Sequence, residues 1–218
     1  EIKPSEPEKI DEEALVKEAK SLIPFGLCGY PETPLDKKTY TINELSDDFK
    51  GAMVVHSLNH LDPEKTIYIK PEDYSKYFAD LSFFKKLESD PSKSYTSLNT
   101  MLSFKDGKYT VTAYATGCEG TYEGNSLMFV SSKIDGNTLT LTYVNYWLTY
   151  NYETGEETLY KEENGKVIYD KVTSKEFGGP KYKDGKEIDY SVFDQYNFVF
   201  DISNKNLRLQ KIEYKEAK

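Results

Sequence analysis

The sequence predicts an α+β fold in which N-terminal helices pack on a curved antiparallel β-meander. In the first third of the chain, apolar residues recur at helical spacing, whereas after about residue 95 they alternate with period two. Turn signals then recur between the alternating segments, as in successive hairpins. Because the helices precede the strands, the order favours α+β over α/β. The alternative is an up-and-down, lipocalin-like β-barrel with N-terminal helices, since about eight strands could close and remove their edges.

The first helix is predicted over residues 11–23. Acidic residues occupy its first turn, where the helix dipole favours negative charge, and Pro24 ends it. Four apolar residues share the face that should pack on the sheet: Leu15, Ala19, Leu22 and Ile23.

Two further helices are predicted before the strands begin. The second should start at Thr41 or Asn43 and run to about Leu61. The third should start at Pro71, because proline is favoured in the first turn, and run to about Phe84.

The remainder of the chain is predicted to be a meander. Strands are expected at 97–104, 108–117, 126–134, 138–152, 157–162, 166–172, 193–200 and 206–214, with a polar insertion at 174–190. In the last strand, Leu207 and Leu209 lie on one phase but Ile212 and Tyr214 on the other, so a β-bulge is predicted near Gln210–Lys211.

Charge and composition restrict the partners. The net charge is -9, and the longest basic runs are pairs of lysines, so nucleic acid is not an expected partner. No run of about 18 apolar residues occurs, so no transmembrane segment is predicted. Residues 1–10 are polar and hold two prolines, which is typical of a flexible tether, and residues 11–218 are predicted to form a single α+β domain.

The N-terminal composition also bears on location. A polar start without Met is consistent with removal of a signal segment, although an arbitrary cloning boundary would look the same. We therefore expect an extracellular or cell-surface protein that is membrane-anchored through its N-terminus, with a possible lipid anchor upstream of residue 1.

Cys28 and Cys118 are the two cysteines of the sequence. In an exported protein they could form a disulfide, which would close a loop of roughly 90 residues and contribute about 4 kcal/mol. Three other interpretations remain open. Cys118 could be a catalytic thiol, both cysteines could share a zinc site with His56 and His60, or both could be reduced and pack as small hydrophobic residues.

Motifs for catalysis are missing from the sequence. His56 and His60 stand at i,i+4 spacing, but the Glu of a His-Glu-x-x-His motif is absent, so two ordinary helix residues are the favoured interpretation. Nucleophile-elbow, phosphate-loop and dinucleotide motifs are absent, and no pair of carboxylates can be assigned to a glycosidase cleft. No catalytic residue, metal ligand or cofactor is therefore predicted.

The most distinctive chemical feature is the aromatic run Tyr143–Tyr152. If one face of this strand packs on the helices, the other shows aromatic side chains to a ligand or partner, unless both faces are core. The candidate ligand-binding residues are Tyr114, Tyr143, Trp147 and Tyr150.

Several segments occurring together resemble a known group of proteins. They are Ser97–Leu102, Gly117–Gly120, Ile134–Leu139, Tyr196–Phe200 and Leu207–Tyr214. The set resembles uncharacterised exported lipoprotein-type proteins of Gram-positive bacteria, and the closing strand pair looks like that of NTF2-like, cystatin-like domains. The resemblance implies an NTF2-like cone of helices on a curved sheet. Enzymes of that fold often use an Asp/His pair inside the cone, and no such pair can be placed in this sequence.

These observations predict a non-catalytic binding role at the cell surface. The expected partner is a small molecule, a glycan or a protein, held in the concavity of the sheet or at its rim. An NTF2-like hydrolase or isomerase is one alternative, and a structural interaction module that uses the insertion 174–190 is another.

Overall fold

The fold is α+β with antiparallel sheets, as predicted. We analysed a computed structural model that describes residues 11–24, 36–115, 121–162, 165–174 and 179–217. The predicted tether, residues 1–10, and the two cysteines, Cys28 and Cys118, lie outside the described residues.

The described residues contain three α-helices, α1 (Glu12–Ser21), α2 (Asp47–His56) and α3 (Ser82–Ser89). Short 3-10 turns lie at Pro71–Tyr74, Tyr190–Val192 and Ser203–Lys205. The strands are β1 (Tyr40–Thr41), β2 (Thr66–Ile69), β3 (Tyr95–Ser97), β4 (Thr100–Lys105), β5 (Lys108–Ala113), β6 (Thr121–Asp135), β7 (Thr138–Asn151), β8 (Glu157–Tyr160), β9 (Val167–Ser174), β10 (Lys181–Lys183), β11 (Lys186–Glu187), β12 (Asp194–Asp201) and β13 (Arg208–Lys215).

The strands form two sheets. A four-stranded sheet has the order β2-β5-β4-β3, and a nine-stranded sheet has the order β1-β13-β12-β7-β8-β9-β10-β11 with β6 also paired to β7. The larger sheet runs from β1 to β11 without a closing pair among the described strands. The β-barrel alternative is therefore wrong.

Strand β7 is shared by two halves of the larger sheet. One of its edges pairs with β6 along its whole length. Its other edge pairs first with β12, over residues 138–145, and then with β8, over residues 147–150. Strands β12 and β8 therefore follow one another along the same edge of β7.

The two halves of the sheet bury opposite faces. The larger core lies against α1, α2, α3 and the four-stranded sheet, and β7 supplies Leu139, Leu141 and Tyr143 to it. The second core lies on the other face, where β7 supplies Val144, Tyr146 and Leu148. The alternation of side chains continues unbroken, but the buried face changes where the partner strand changes.

Part of the polar insertion belongs to this second core. Ile188 is buried in it, and Tyr190 and Val192 pack against it. The main-chain N–H of Lys181 donates to the Tyr190 hydroxyl at 2.9 Å. Within the insertion, β10 and β11 thus form the end of the larger sheet, and Ile188 and Tyr190 pack in the second core.

The first predicted helix is confirmed. Asp11 caps α1 by accepting a hydrogen bond from the Ala14 main-chain N–H at 3.0 Å. Ala19, Leu22 and Ile23 are fully buried, on the predicted face.

The second predicted helix is wrong at both ends, because α2 covers Asp47–His56 alone. Residues Tyr40–Thr41 pair with β13 instead, and the Ile42 main-chain N–H donates to the Gln210 carbonyl at 2.8 Å. The helix starts only at Ser46, whose hydroxyl accepts from the Phe49 N–H at 3.1 Å.

The third predicted helix is also wrong. Pro71 starts a single 3-10 turn, and α3 begins at Ser82, whose main-chain N–H donates to the Asp80 carboxylate at 2.8 Å. Pro71 occupies the first turn, as predicted, but this turn does not continue into an α-helix.

The predicted bulge in the last strand is confirmed. Leu209 pairs with Phe200 and Lys211 pairs with Val199, which leaves Gln210 as the extra residue. Leu209 and Ile212 consequently both enter the larger core. A second bulge, at Val130 in β6, has the same effect: Phe129 and Ile134 both pack against that core.

Candidate functional site

The candidate site lies on β7, beyond the residues that this strand contributes to the larger core. It is on the same face of the sheet as the helices. Side chains of directly paired residues lie on the same face of an antiparallel sheet. We define the Trp147 face as three β7 residues and their polar and aromatic register partners on β6, β8 and β12: Asn145, Trp147, Thr149, Glu123, Asn125, Thr158, Tyr160 and Asp194. The remaining register partner, Leu127 opposite Asn145, is buried in the larger core.

Trp147 is half-buried at the centre of this face. Its register partners are Asn125 on β6 and Tyr160 on β8, and Tyr160 is also half-buried. The indole Nε1–H donates to Glu123 Oε1 at 3.1 Å, which fixes the orientation of the ring. The face therefore presents two neighbouring aromatic side chains on a rigid sheet.

An acidic side chain is buried beside them. Asp194 lies opposite Asn145 and is 4% exposed. Its carboxylate accepts hydrogen bonds from the Tyr214 hydroxyl at 3.2 Å and the Ala217 main-chain N–H at 3.0 Å, and Lys161 Nζ lies 4.0 Å away. Burial and the charge of Asp194 raise the pKa of Tyr214 to about 12.

Two polar atoms on the same face of β7 are buried without a partner. Among the described residues, neither Tyr143 Oη nor Asn145 Oδ1 has a hydrogen-bond partner. Tyr143 is packed in the larger core, and burial raises the pKa of its hydroxyl. Buried polar atoms are nearly always paired in native proteins, so two unpaired atoms in neighbouring rows mark this region as unusual.

The four aromatic candidates do not form one cluster. Tyr143 and Trp147 share a face, with Tyr143 in the core and Trp147 beyond it. Tyr150 lies on the opposite face, against the second core, with its ring 4.7 Å from that of Tyr152. Tyr114 is 45% exposed and follows β5 of the four-stranded sheet.

Several members of the face were not identified in the sequence. Asp194, Tyr160 and Glu123 are separated from Trp147 along the chain, and no pattern in the sequence joins them to it. The alternation of Leu159 and Tyr160 was a usable signal, because it places the tyrosine on the face opposite the buried leucine.

The two histidines do not form a pair. Helix α2 ends at His56, and His60 is exposed beyond it. His56 Nδ1 lies 2.9 Å from Ser97 Oγ and 2.7 Å from Asn59 Nδ2. Burial lowers the pKa of His56 to about 4, so the ring is neutral at physiological pH. Ser97 is fully buried, so this contact joins α2 to β3 and does not present a nucleophile.

A second polar group is buried at the margin of the second core. Lys181 Nζ donates to Glu157 Oε1 at 2.7 Å and to Ser174 Oγ at 2.8 Å, and the Ser174 hydroxyl donates to Glu157 Oε1 at 3.2 Å. The side chains of Lys181 and Glu157 are 4% and 6% exposed. These contacts tie β8, β9 and β10 together, and the lysine is a hydrogen-bond donor in both of its contacts.

The described residues meet neither of two simple requirements, a cluster of metal-binding side chains and a membrane-spanning helix. They contain no group of three or more His, Cys, Asp or Glu side chains placed to hold a metal ion. No helix within them has the length and apolar character needed to cross a bilayer. The chain matches no protein-family model, no curated protein and no solved structure.

Proposed function

We propose that the protein binds a ligand, without catalysis, through the Trp147 face. The observation that carries this proposal is the pair of half-buried aromatic side chains, Trp147 and Tyr160, on a face where polar side chains surround them. Aromatic side chains that remain partly exposed next to oriented polar groups are typical of binding surfaces.

The geometry around the rings supports binding over catalysis. Asp194 is the buried acid of the face, and its carboxylate oxygens accept from Tyr214 and Ala217. His56, the buried histidine, contacts Ser97 of the other sheet. An acid and a histidine that act together would have to approach within hydrogen-bond reach of the same substrate, and their contacts here are to different elements.

The cellular setting belongs to the same proposal. The polar composition of residues 1–10 supports an exported, surface-tethered protein, and the segments that resemble Gram-positive lipoprotein-type proteins support the same location. We also propose an NTF2-like cone as the finer description of the fold, supported by helices that pack on one face of a sheet with bulges at Val130 and Gln210.

The single tryptophan of the chain makes the proposal testable without labels. Its emission reports on the Trp147 face alone. We expect compounds from at least one class, among oligosaccharides, peptides and small polar molecules, to change this emission saturably. Calorimetry on Trp147→Ala should then show weaker binding than on Tyr68→Ala, which removes an exposed aromatic side chain from the other sheet. Equal affinity of the two variants would contradict the proposal.

A further inference from the structure

We infer that the ligand of the Trp147 face is a neutral, hydroxyl-rich glycan. This inference rests on the proposed function and adds the chemical class of the ligand. It follows from the side chains of the face and from the main-chain pairing beneath them.

The aromatic side chains suit the apolar face of a sugar ring. Trp147 and Tyr160 are direct cross-strand partners, so their Cβ atoms lie about 5 Å apart on one face. A pyranose presents a flat array of C–H groups that packs on aromatic rings, and its hydroxyls project from the rim. The Nε1–H bond to Glu123 holds the indole in one orientation, which lowers the entropy lost on binding.

The polar side chains beside the rings suit the hydroxyls of a sugar. Thr149 and Thr158 are cross-strand partners one row beyond Trp147, and Asn125 lies next to it. Hydroxyl and amide groups both donate and accept hydrogen bonds, as sugar hydroxyls do. Asn145 adds a side-chain amide whose oxygen is buried without a hydrogen-bond partner among the described residues.

Strand pairing argues against an extended peptide that adds to β7. Peptides that add to a sheet need a strand edge with free main-chain groups. At Trp147–Tyr150, β7 is an interior strand, paired with β6 on one edge and β8 on the other. Beside Trp147 a ligand therefore meets side chains, and the nearest edge not paired with another described strand is that of β6.

Charge argues against an anionic ligand. The net charge of -9 and the carboxylates of Glu123 and Asp194 disfavour an anion. Glu123 is exposed and keeps its charge and further acceptor sites while it accepts from Trp147, so the oligolysine probe below is the direct test of a cationic ligand.

The test is a fluorescence titration of the whole chain with defined probes. The neutral probes are cellohexaose, chitohexaose, laminarihexaose and mannohexaose. The comparison probes are oligogalacturonate as an anionic glycan, and an oligolysine and an oligoalanine peptide. We expect at least one neutral oligosaccharide to change Trp147 emission saturably, and the comparison probes to leave it unchanged.

Variants then locate the binding by calorimetry. Trp147→Ala and Tyr160→Ala should each weaken the affinity for that oligosaccharide by about tenfold or more, as central aromatic anchors do. Thr149→Val, which removes a hydroxyl with little change of shape, should weaken it several-fold. Tyr68→Ala should leave the affinity unchanged. Thermal unfolding of each variant confirms that it is folded.

Four results would overturn the inference. If a peptide changes the emission and no oligosaccharide does, the glycan class is wrong but the proposed function stands. If only oligogalacturonate binds, the neutrality of the ligand is wrong. If no probe changes the emission, the glycan class is wrong, and the proposed function then depends on the small polar molecules alone. If an oligosaccharide binds Trp147→Ala as tightly as the parent chain, the Trp147 face is not its site, and the proposed function fails as well.

Discussion

Tyr143 and Val144 are consecutive residues of β7, and their side chains enter different hydrophobic cores on opposite faces of the sheet. Tyr143 is 2% exposed and Val144 is fully buried. Adjacent strand residues always point to opposite faces, so both can be buried only where both faces are covered. This is the point where the helices cease to cover one face and the insertion begins to cover the other. The continuation of the helix-side face past this point, which none of the described helices buries, is the candidate site.

Removing the hydroxyl of Tyr143 should not destabilise the protein. Because this hydroxyl is buried without a partner among the described residues, Tyr143→Phe should leave the free energy of unfolding unchanged or raise it by up to about 1 kcal/mol. Urea denaturation measures the difference. The control is Tyr95→Phe, whose hydroxyl donates to the Phe83 carbonyl at 2.7 Å, and this change should cost about 1 kcal/mol. A similar loss of unfolding free energy in both variants would show that the Tyr143 hydroxyl has a hydrogen-bond partner.

Breaking the buried ion pair should destabilise the second core strongly. Lys181→Met leaves Glu157 buried and uncompensated, so the free energy of unfolding should fall by about 3–5 kcal/mol. The control is Lys183→Met in the same hairpin, since Lys183 pairs with the exposed Asp170 and should contribute less than about 1 kcal/mol. Chemical denaturation of the two variants should separate them clearly. A loss of under 1 kcal/mol for Lys181→Met would mean that Glu157 finds another partner or is solvated.

Acid should destabilise the protein through His56. Its folded-state pKa is about 4, below the ordinary value of 6.5, so between these pH values the unfolded chain binds more protons. The stabilising contribution is complete above pH 6.5 and is lost as the pH falls toward 4, by up to about 1.4 kcal/mol per pH unit. Urea denaturation across this range measures the slope. His56→Gln should reduce it, whereas substitution of the exposed His60 by Gln should not.

Close packing between α2 and β3 should make Gly51 intolerant of a side chain. A Cβ atom at this position would lie 2.1 Å from the ring of Tyr95, which is itself fully buried. Gly51→Ala should therefore lower the free energy of unfolding by about 1–3 kcal/mol, despite the better helix propensity of alanine. Lys50→Ala, at the neighbouring position, should change it little. A stabilised Gly51→Ala would show that Tyr95 can move aside.

Local signals explain which parts of the fold could be predicted. The hairpins followed from alternation and from turn residues; Gly107 and Gly136, for example, both adopt the positive φ that these turns require. The Gln210 bulge followed from a phase change that is visible in a single strand. Helix α1 followed from its cap, its acidic first turn and its apolar face.

Long-range pairing explains what could not be predicted. Thr41 has a helix-start signal, but its pairing with Lys211 of β13 holds it in a strand. The switch of cores after Tyr143 coincides with a change of apolar phase in β7, from odd to even positions. A bulge would give the same phase change, and the pairing of β12 and then β8 along β7, which decides between the two, is not visible within the strand. For the same reason Trp147 could be identified as a candidate, whereas Asp194, which arrives beside it from β12, could not.

Both halves of the sheet are built on the hairpin of β6 and β7, and this has a consequence for the order of folding. Its strands are joined by a tight turn at Gly136, so this hairpin closes over a short stretch of chain and at small entropic cost. Strands β12 and β13 must cross a much greater distance along the chain before they can cover Leu139 and Leu141. During synthesis from the N-terminus, the β6–β7 hairpin can therefore form before residues 194–215 emerge. Until they do, the edge of β7 that later pairs with β12 is unpaired. A chain at this stage is a template for strand addition, and its residence time there determines how readily it aggregates.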